Sequence, residues 1–438
     1  MINFLDLFAG AGGLSEGFIE AGYSPIAHVE MDPAACNTLR TRTAYYWLKN
    51  NGKEEIYKSY LEGKITRDEF YRIIPKIELD KVIQSEISDK TINVIFERID
   101  NQLDGKTVDL IIGGPPCQAY SVIGRARDEN HMQGDQRNYL YRYYAEFLNH
   151  YRPAYFVFEN VVGLLSARDK AGKRYLDSMI EKFHDCGYVI HFEKIQAKKY
   201  GILQNRVRVI LVGKYIGVEA VESGSSKILK EEGSDFYPVL EKRPDLEKYT
   251  INDLFADLPA IPAGGGKPEL TETNGILASQ YLTEVKIQDH PGLPVTFHVA
   301  RPNKKQDLEI YRIAVNDWNN GHERLKYTSL PENLQSHNNK TAFLDRFKVV
   351  AGDEHCAQTI CAHLAKDGHY YIHPDIKQNR SITPREAARI QTFPDNYYFE
   401  SICGKPSRTY AYKQIGNAVP VYLAFCIAKA MKKNFPDK

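Results

Sequence analysis

The first 21 residues constrain the fold of this chain more than any other stretch. Asn3-Phe4-Leu5-Asp6-Leu7-Phe8 is an apolar run of strand length, Ala9-Gly10-Ala11-Gly12-Gly13 interrupts it with glycines, and Leu14 to Ala21 resumes with helical spacing. Strand, glycine turn and helix in that order open a nucleotide-binding parallel sheet. The glycines let a ligand approach the backbone, and the amino end of the helix supplies amide hydrogens. A second strand, Ser24 to Val29, delivers Glu30 about 18 residues after Gly12, where an acidic side chain meets ribose hydroxyls. The third glycine of a dinucleotide fingerprint would fall on Ser15, so NAD is disfavoured. A nucleoside-bearing ligand is the better of two readings, and a purely structural turn is the other.

At 438 residues the chain has room for one large core and a smaller one. A formal net charge of +1 neither advertises nor excludes nucleic acid, so any basic face has to be local. Seven cysteines without a Cys-x-x-Cys pair argue against a disulfide framework or a zinc ribbon and fit a reducing cytosol. Met1-Ile2-Asn3-Phe4 is not the start of a secretory signal, and Ala418 to Met431 falls short of the roughly 18 apolar residues of a spanning helix. A soluble protein is expected.

From about Thr43 to Lys90 the sequence turns charged and Tyr-rich with helical spacing, which predicts a helical excursion between two strands. Ile92 to Phe96 reads as the next strand. Asp100 and Asn101 at its end either accept from an exocyclic amine or are solvated turn residues. The run Val108 to Ile112 stops at Gly113-Gly114-Pro115-Pro116, which places Cys117 on a rigid turn at the carboxyl end of the sheet. A lone cysteine is more often a small buried hydrophobe than a nucleophile. The polar stretch Ser121 to Gln136, with Arg125 and Arg127, has the composition of a mobile loop.

Helical spacing restarts at Asn138 and runs to about Tyr151, and the strand Pro153 to Phe158 ends in Glu159-Asn160-Val161. A carboxylate at the end of an apolar strand is costly unless it is paired or used. A helix from Asp177 to Cys186 leads to strands at Tyr188 to Gln196 and Gln204 to Val212. Arg206 and Arg208 alternate with apolar residues and so share one face, either as an exposed sheet edge or as two guanidiniums converging on an anion.

Composition shifts near Gly213, where periodicity weakens and a domain boundary is expected. Between Thr296 and Val350 nine Lys/Arg face six Asp/Glu, with His298, Gln335, His337, Asn338 and Asn339 nearby. These side chains suit phosphates and base edges, and they equally suit a solvated surface. His355, Cys356, Cys361 and His363 lack zinc-motif spacing, and the run reads as an alternating strand. Thr383 and Pro384 are an N-cap and first helical residue, and Gln414 to Pro420 precedes an apolar helix expected to return to the first core.

Six of these stretches stand in the order and spacing of the cytosine-5 DNA methyltransferases. They are Phe8 to Gly13, Pro115 to Gln118, Glu159 to Val161, Gln204 to Arg208, Arg385 to Pro394, and Gln414-x-Gly416-Asn417. The chain resembles the bacterial restriction-modification members of that family over residues 1 to 213 and 380 to 431, and the stretch between falls where the family keeps its variable target-recognition region. The insert at about 43 to 90 is longer than in compact members.

The resemblance implies an α/β fold. A Rossmann-like S-adenosylmethionine-dependent methyltransferase domain, with a mixed, mostly parallel sheet and helices on both faces, spans residues 1–213. A smaller, irregular target-recognition domain follows at 214–411, and a segment at 412–438 returns to the catalytic domain. It implies Cys117 as the nucleophile that adds to carbon 6 of a flipped-out cytosine, Glu159 on ring nitrogen 3 and the exocyclic amine, and Arg206 and Arg208 on the base carbonyl and flanking phosphate. For S-adenosylmethionine it implies Phe8 on the adenine, Gly10, Gly12, Gly13 and Leu14 near the methionine part, Glu30 on the ribose, and Met31, Asp100 and Asn101 about the adenine. Leu140, Asn417 and Val419 complete the pocket, and no metal is expected. The implied partner is double-stranded DNA, met by a cytoplasmic monomer beside a separately acting restriction endonuclease. A tRNA cytosine-5 methyltransferase on the same scaffold and a non-catalytic DNA-binding scaffold are the alternatives.

Overall fold

The computed structural model describes residues 1–116, 139–222, 235–269, 277–288, 292–336 and 338–436. Its central strands are β1 (Asn3–Leu7), β2 (Ser24–Glu30), β3 (Val82–Gln84), β4 (Leu110–Gly113), β5 (Tyr155–Val161), β6 (Tyr188–Gln196) and, after the two-residue β7 (Gln204–Asn205), β8 (Val207–Tyr215). Seven of them form one sheet in the order β3-β2-β1-β4-β5-β8-β6, while β7 pairs outside it with Ala357–Gln358. The ladders β1 to β2, β1 to β4, β2 to β3 and β4 to β5 are parallel, and β8 runs antiparallel to both β5 and β6.

Side-chain alternation assigns the two faces. Phe4, Ile112, Val157 and Ile210 enter one core, where they meet the helices α1 (Gly13–Glu20) and Val421–Met431. Leu5, Leu7, Ile111, Phe156 and Leu211 enter the other, under Leu140–Tyr151 and Tyr175–Asp185. The sheet is thus covered on both sides, and strand order reverses between β1 and β4. Open α/β sheets bind ligands in the crevice at such a reversal. The glycine turn after β1 and the Gly113 to Pro116 turn after β4 both open onto it.

The excursion after β2 consists of α2 (Pro33–Asn50), α3 (Glu54–Leu61), α4 (Arg67–Ile73) and α5 (Lys76–Leu79). It is helical as expected up to Leu79, but β3 lies inside the stretch read as helix. The residues read as the next strand, Ile92 to Phe96, instead begin α6 (Ile92–Leu103). Apolar residues at 92, 95, 96, 99 and 103 follow helical spacing, and a window of five residues was too short to separate the two periods. The alternating run at 355 to 363 yields only the two-residue strand Ala357–Gln358 and a 3-10 turn at Ala362–Ala365.

Thr383 caps the helix Pro384–Ile390 through a capping box with Glu386. That helix is buried throughout, and its arginines are structural. Arg385 donates to the carbonyls of Thr296, Pro394 and Tyr397, while Arg389 is shared between Asp257 and Asp395. Phe236, Leu254, Phe297 and Ile382 join the same core as Phe4. A separate small cluster around Tyr311, Val315, Tyr327 and Phe347 holds the outlying part of the chain together.

Candidate active site

Glu30 organises the crevice. The Gly10 amide donates to its Oε2 at 2.8 Å, and the amides of Met31 and Asp32 donate to Oε1 at 2.9 and 2.8 Å. Burial pushes its carboxyl above the ordinary range even against these three donors. Gly12 starts α1 in the left-handed conformation with φ 81°, which a side chain would strain. It stands behind the wall, while Gly10, Gly13, Leu14 and Phe8 face a cavity of about 240 Å³. Asn417 and Val419 form the opposite side of that cavity.

Gly113, Gly114, Pro115 and Pro116 continue the wall, and Cys117 follows directly but lies outside the described residues, as do Gln118, Arg125 and Arg127. Gly114 is required by a close approach, because a Cβ there would stand 2.3 Å from the Glu159 carbonyl oxygen. Asn160 Nδ2 donates to the Pro115 carbonyl at 3.3 Å and ties β5 to the turn before Cys117.

Glu159 and Arg208 line the same cavity, and Arg208 Nε lies 2.6 Å from Glu159 Oε1. In the antiparallel ladder Glu159 faces Ile210 and Val161 faces Arg208, so the two charged residues are diagonal neighbours on one face. Arg206 does not join them. It is 2% exposed and donates from Nη1 to the Ile360 carbonyl at 2.9 Å and from Nη2 to the Ala418 carbonyl at 2.7 Å. The expectation of two guanidiniums on one face assumed an unbroken strand. The chain leaves the sheet between β7 and β8 at Arg206 and aims it into the protein.

A larger hollow of about 780 Å³ shares Phe8, Glu30 and Pro116 with the first cavity and has Met31 and Leu140 in its walls. Asp100 and Asn101 line neither. Both are exposed on α6, where Asp100 Oδ1 accepts from the Tyr151 hydroxyl at 3.0 Å. The strand end that does reach the hollow is that of β3, whose continuation Ser85 to Asp89 forms its wall with Glu86 and Ile87. The signal for these residues was the apolar pair Val82-Ile83 followed by Glu86. A further feature at the rim is the ion pair of Asp32 Oδ2 and Lys413 Nζ at 2.7 Å, between the cap of α2 and the helix Arg408–Asn417. Burial raises the Asp32 carboxyl, but the Lys413 hydrogen bond and the α2 amides bring it below the ordinary range.

His355 and His363 serve the protein itself, His355 against the Tyr249 carbonyl and His363 beside Asp367.

A family model described as C-5 cytosine-specific DNA methylase matches residues 2–70 and 48–433. The chain is 38% identical over 460 residues to the type II methyltransferase M.Bpa9945I of Bacillus paralicheniformis, with 98% of each chain covered. It is 28% identical over 461 residues to the type II methyltransferase M.DdeI of Desulfomicrobium norvegicum, covering 100% of this chain and 90% of the other. The crystal structure of a DNA modification methyltransferase encoded within an E. coli prophage superposes with a TM-score of 0.59 over 100% of both chains at 22% identity, a likeness of fold. With the crevice, the sheet order and these matches together, the chain belongs to the C-5 cytosine-specific DNA methylase family.

Proposed function

We propose that this DNA cytosine-5 methyltransferase modifies carbon 5 of one cytosine in a defined duplex sequence through a covalent Cys117 adduct, as the modification half of a restriction-modification system. The observation that carries the reading is the Glu159 and Arg208 pair, held at 2.6 Å in the wall that leads directly to Cys117 and in the same cavity as Glu30 and Phe8.

Carbon 5 of cytosine is a poor nucleophile until a thiolate adds at carbon 6. Cys117 forms that bond, and the ring's electron density moves to carbon 5. Glu159 holds ring nitrogen 3 and the exocyclic amine, stabilising the charge that develops as sulfur adds. Arg208 keeps Glu159 in place and reaches the base carbonyl. After carbon 5 is methylated, it loses its proton, the sulfur to carbon 6 bond breaks, and the aromatic ring returns. A base inside a duplex reaches such a cavity only by swinging out of the stack, at a cost of a few kcal/mol.

The crevice fits S-adenosylmethionine. Glu30 offers a buried carboxylate with an acceptor site left on Oε2 for a ribose hydroxyl, since a carboxylate accepts about four hydrogen bonds and three are used. Phe8 supplies an aromatic face between the two hollows, and Met31, Leu140, Glu86 and Ile87 form walls suited to the adenine, with Glu86 taking the role expected of Asp100. Gly10, Gly13 and Leu14 lie toward the methionine part, opposite Asn417 and Val419. When bound, S-adenosylmethionine supplies an electrophilic methyl group. Arg206 acts as a positioning residue behind this site.

In this reading the catalytic unit is residues 1–213 with 412–438, and target recognition belongs to 214–411, whose small core around Tyr311 and Phe347 supports the base-reading surface. The protein works as a cytoplasmic monomer, with its endonuclease acting separately. Among the described residues no helix is long and apolar enough to cross a membrane. Methylation of duplex DNA and of tRNA, read as 5-methylcytosine after digestion, tests the reading. Label in DNA and none in tRNA supports it, and label confined to tRNA overturns it.

A further inference from the structure

Between Thr296 and Val350 several of the side chains suited to DNA are consumed by the protein itself. Arg301 donates to the carbonyls of Leu364, Ala365 and Lys366, Arg346 pairs with Asp367, and Lys348 lies 2.5 Å from Asp345. His298 is buried between Thr383 and the Pro259 carbonyl, and Gln335 gives its amide to the Leu330 carbonyl. Arg324 differs. It lines a polar cavity of about 340 Å³ with Asn205, Trp318 and Gln358, and among the described residues no hydrogen bond or ion pair holds its guanidinium.

That cavity adjoins the active site. Asn205 stands three residues before Arg208, and Thr359 Oγ1 donates to its carbonyl at 2.5 Å. The same segment continues to Ala362, whose backbone packs against Gly416, the neighbour of Asn417 in the catalytic cavity. The segment 357 to 362 therefore links the walls of the two hollows, and on the DNA methyltransferase reading the stretch of duplex beside the target cytosine is the part that would reach the second. The charge around Arg324 is wrong for a phosphate. It follows the carboxyl end of the helix Lys305–Gly321, with its partial negative charge, and Glu323 and Glu354 share the cavity, whose other cation, Lys348, is already paired with Asp345. An arginine unpaired in such surroundings suits a base edge with two adjacent acceptors.

Building on the DNA methyltransferase reading, we propose that Arg324 reads a guanine of the recognition sequence by donating to its O6 and N7 in the major groove. The test uses the full chain and a plasmid library with randomised sequence, read by bisulfite sequencing, for the wild type, Arg324→Ala and Arg324→Lys. The wild type should methylate one context containing a guanine that Arg324→Ala accepts in other identities. Discrimination at that position should fall roughly 10- to 100-fold while the other positions hold. Arg324→Lys should lose the same discrimination, because a point charge replaces the fork. Uniformly weaker binding with a salt slope lower by about one would make Arg324 a phosphate contact and overturn the proposal. An unchanged context in both variants would overturn it as well. A wild type that methylates no DNA cytosine would instead defeat the underlying reading.

Discussion

The carboxylate of Glu159 and the guanidinium of Arg208 meet at 2.6 Å on the cavity face of the β5 and β8 ladder, both more than four-fifths buried. Neither charge could stay there alone at low cost. Their mutual neutralisation allows a carboxylate to stand in the cavity wall beside Gly114, where the proposed mechanism uses it.

Glu159→Gln should therefore lower the single-turnover rate of methyl transfer by about 100- to 1,000-fold, the range for loss of one well-placed charge-stabilising group. Its dissociation constant for S-adenosylhomocysteine, measured by calorimetry, should stay within about 2-fold. A rate unchanged by the substitution would remove Glu159 from the chemistry.

The two arginines should separate cleanly. Arg206→Met leaves the buried carbonyls of Ile360 and Ala418 without their donor, and is expected to cost about 2–5 kcal/mol in chemical denaturation. Arg208→Met should cost less stability and more rate, because among the described residues Arg208 pairs with Glu159 at the cavity and otherwise donates to the carbonyl of its own neighbour Val207. Equal stability losses in the two variants would show that they share one structural role.

Gly114→Ala forces a Cβ to within 2.3 Å of the Glu159 carbonyl oxygen, so the turn or β5 must shift. We expect a loss of about 1–3 kcal/mol and a slower methyl transfer, since the displaced turn is the one that ends in Cys117. Full activity in this variant would mean that the turn position does not matter.

Burial holds the His298 imidazole down at about 4, well below its ordinary value of 6.5. Above pH 6.5 the ring is neutral folded or unfolded; between 6.5 and 4 only the unfolded chain takes up the proton, and stability falls as pH drops. The loss should approach about 3 kcal/mol at pH 4, because every tenfold rise in proton concentration across that interval favours the unfolded chain by about 1.4 kcal/mol. His298→Gln can keep both hydrogen bonds and should flatten that part of the stability profile. An identical profile in the variant would assign the acid sensitivity elsewhere.

Much of the catalytic sheet was legible because its strands are apolar runs bounded by glycine, and because Phe8 to Gly13 and Gly113 to Pro116 can only be turns. Strand β3 was hidden by its length, three residues among charges with one apolar pair, and that hid Glu86 in the wall of the larger hollow and left Asp100, which does not line it, as the expected acidic residue. The divergence of Arg206 from Arg208 was hidden because alternation holds only within a continuous strand, whereas β7 pairs with Ala357–Gln358 from a distant part of the chain. The same limit applied to the cations between Thr296 and Val350. Which of them are free for DNA depends on carbonyls and carboxylates such as those of Leu364 and Asp367, brought in by tertiary folding.

The central claim, a covalent bond between Cys117 and the target base, is tested most directly with a duplex in which 5-fluorodeoxycytidine replaces every deoxycytidine. Fluorine at carbon 5 cannot leave as a proton does, so the sulfur to carbon 6 bond is trapped once the methyl group has been transferred. With S-adenosylmethionine present, the wild type should give a protein-DNA adduct stable in denaturing electrophoresis, and Cys117→Ser should give none. An adduct of equal yield from Cys117→Ser, or no adduct from a wild type that methylates ordinary DNA, would contradict the account.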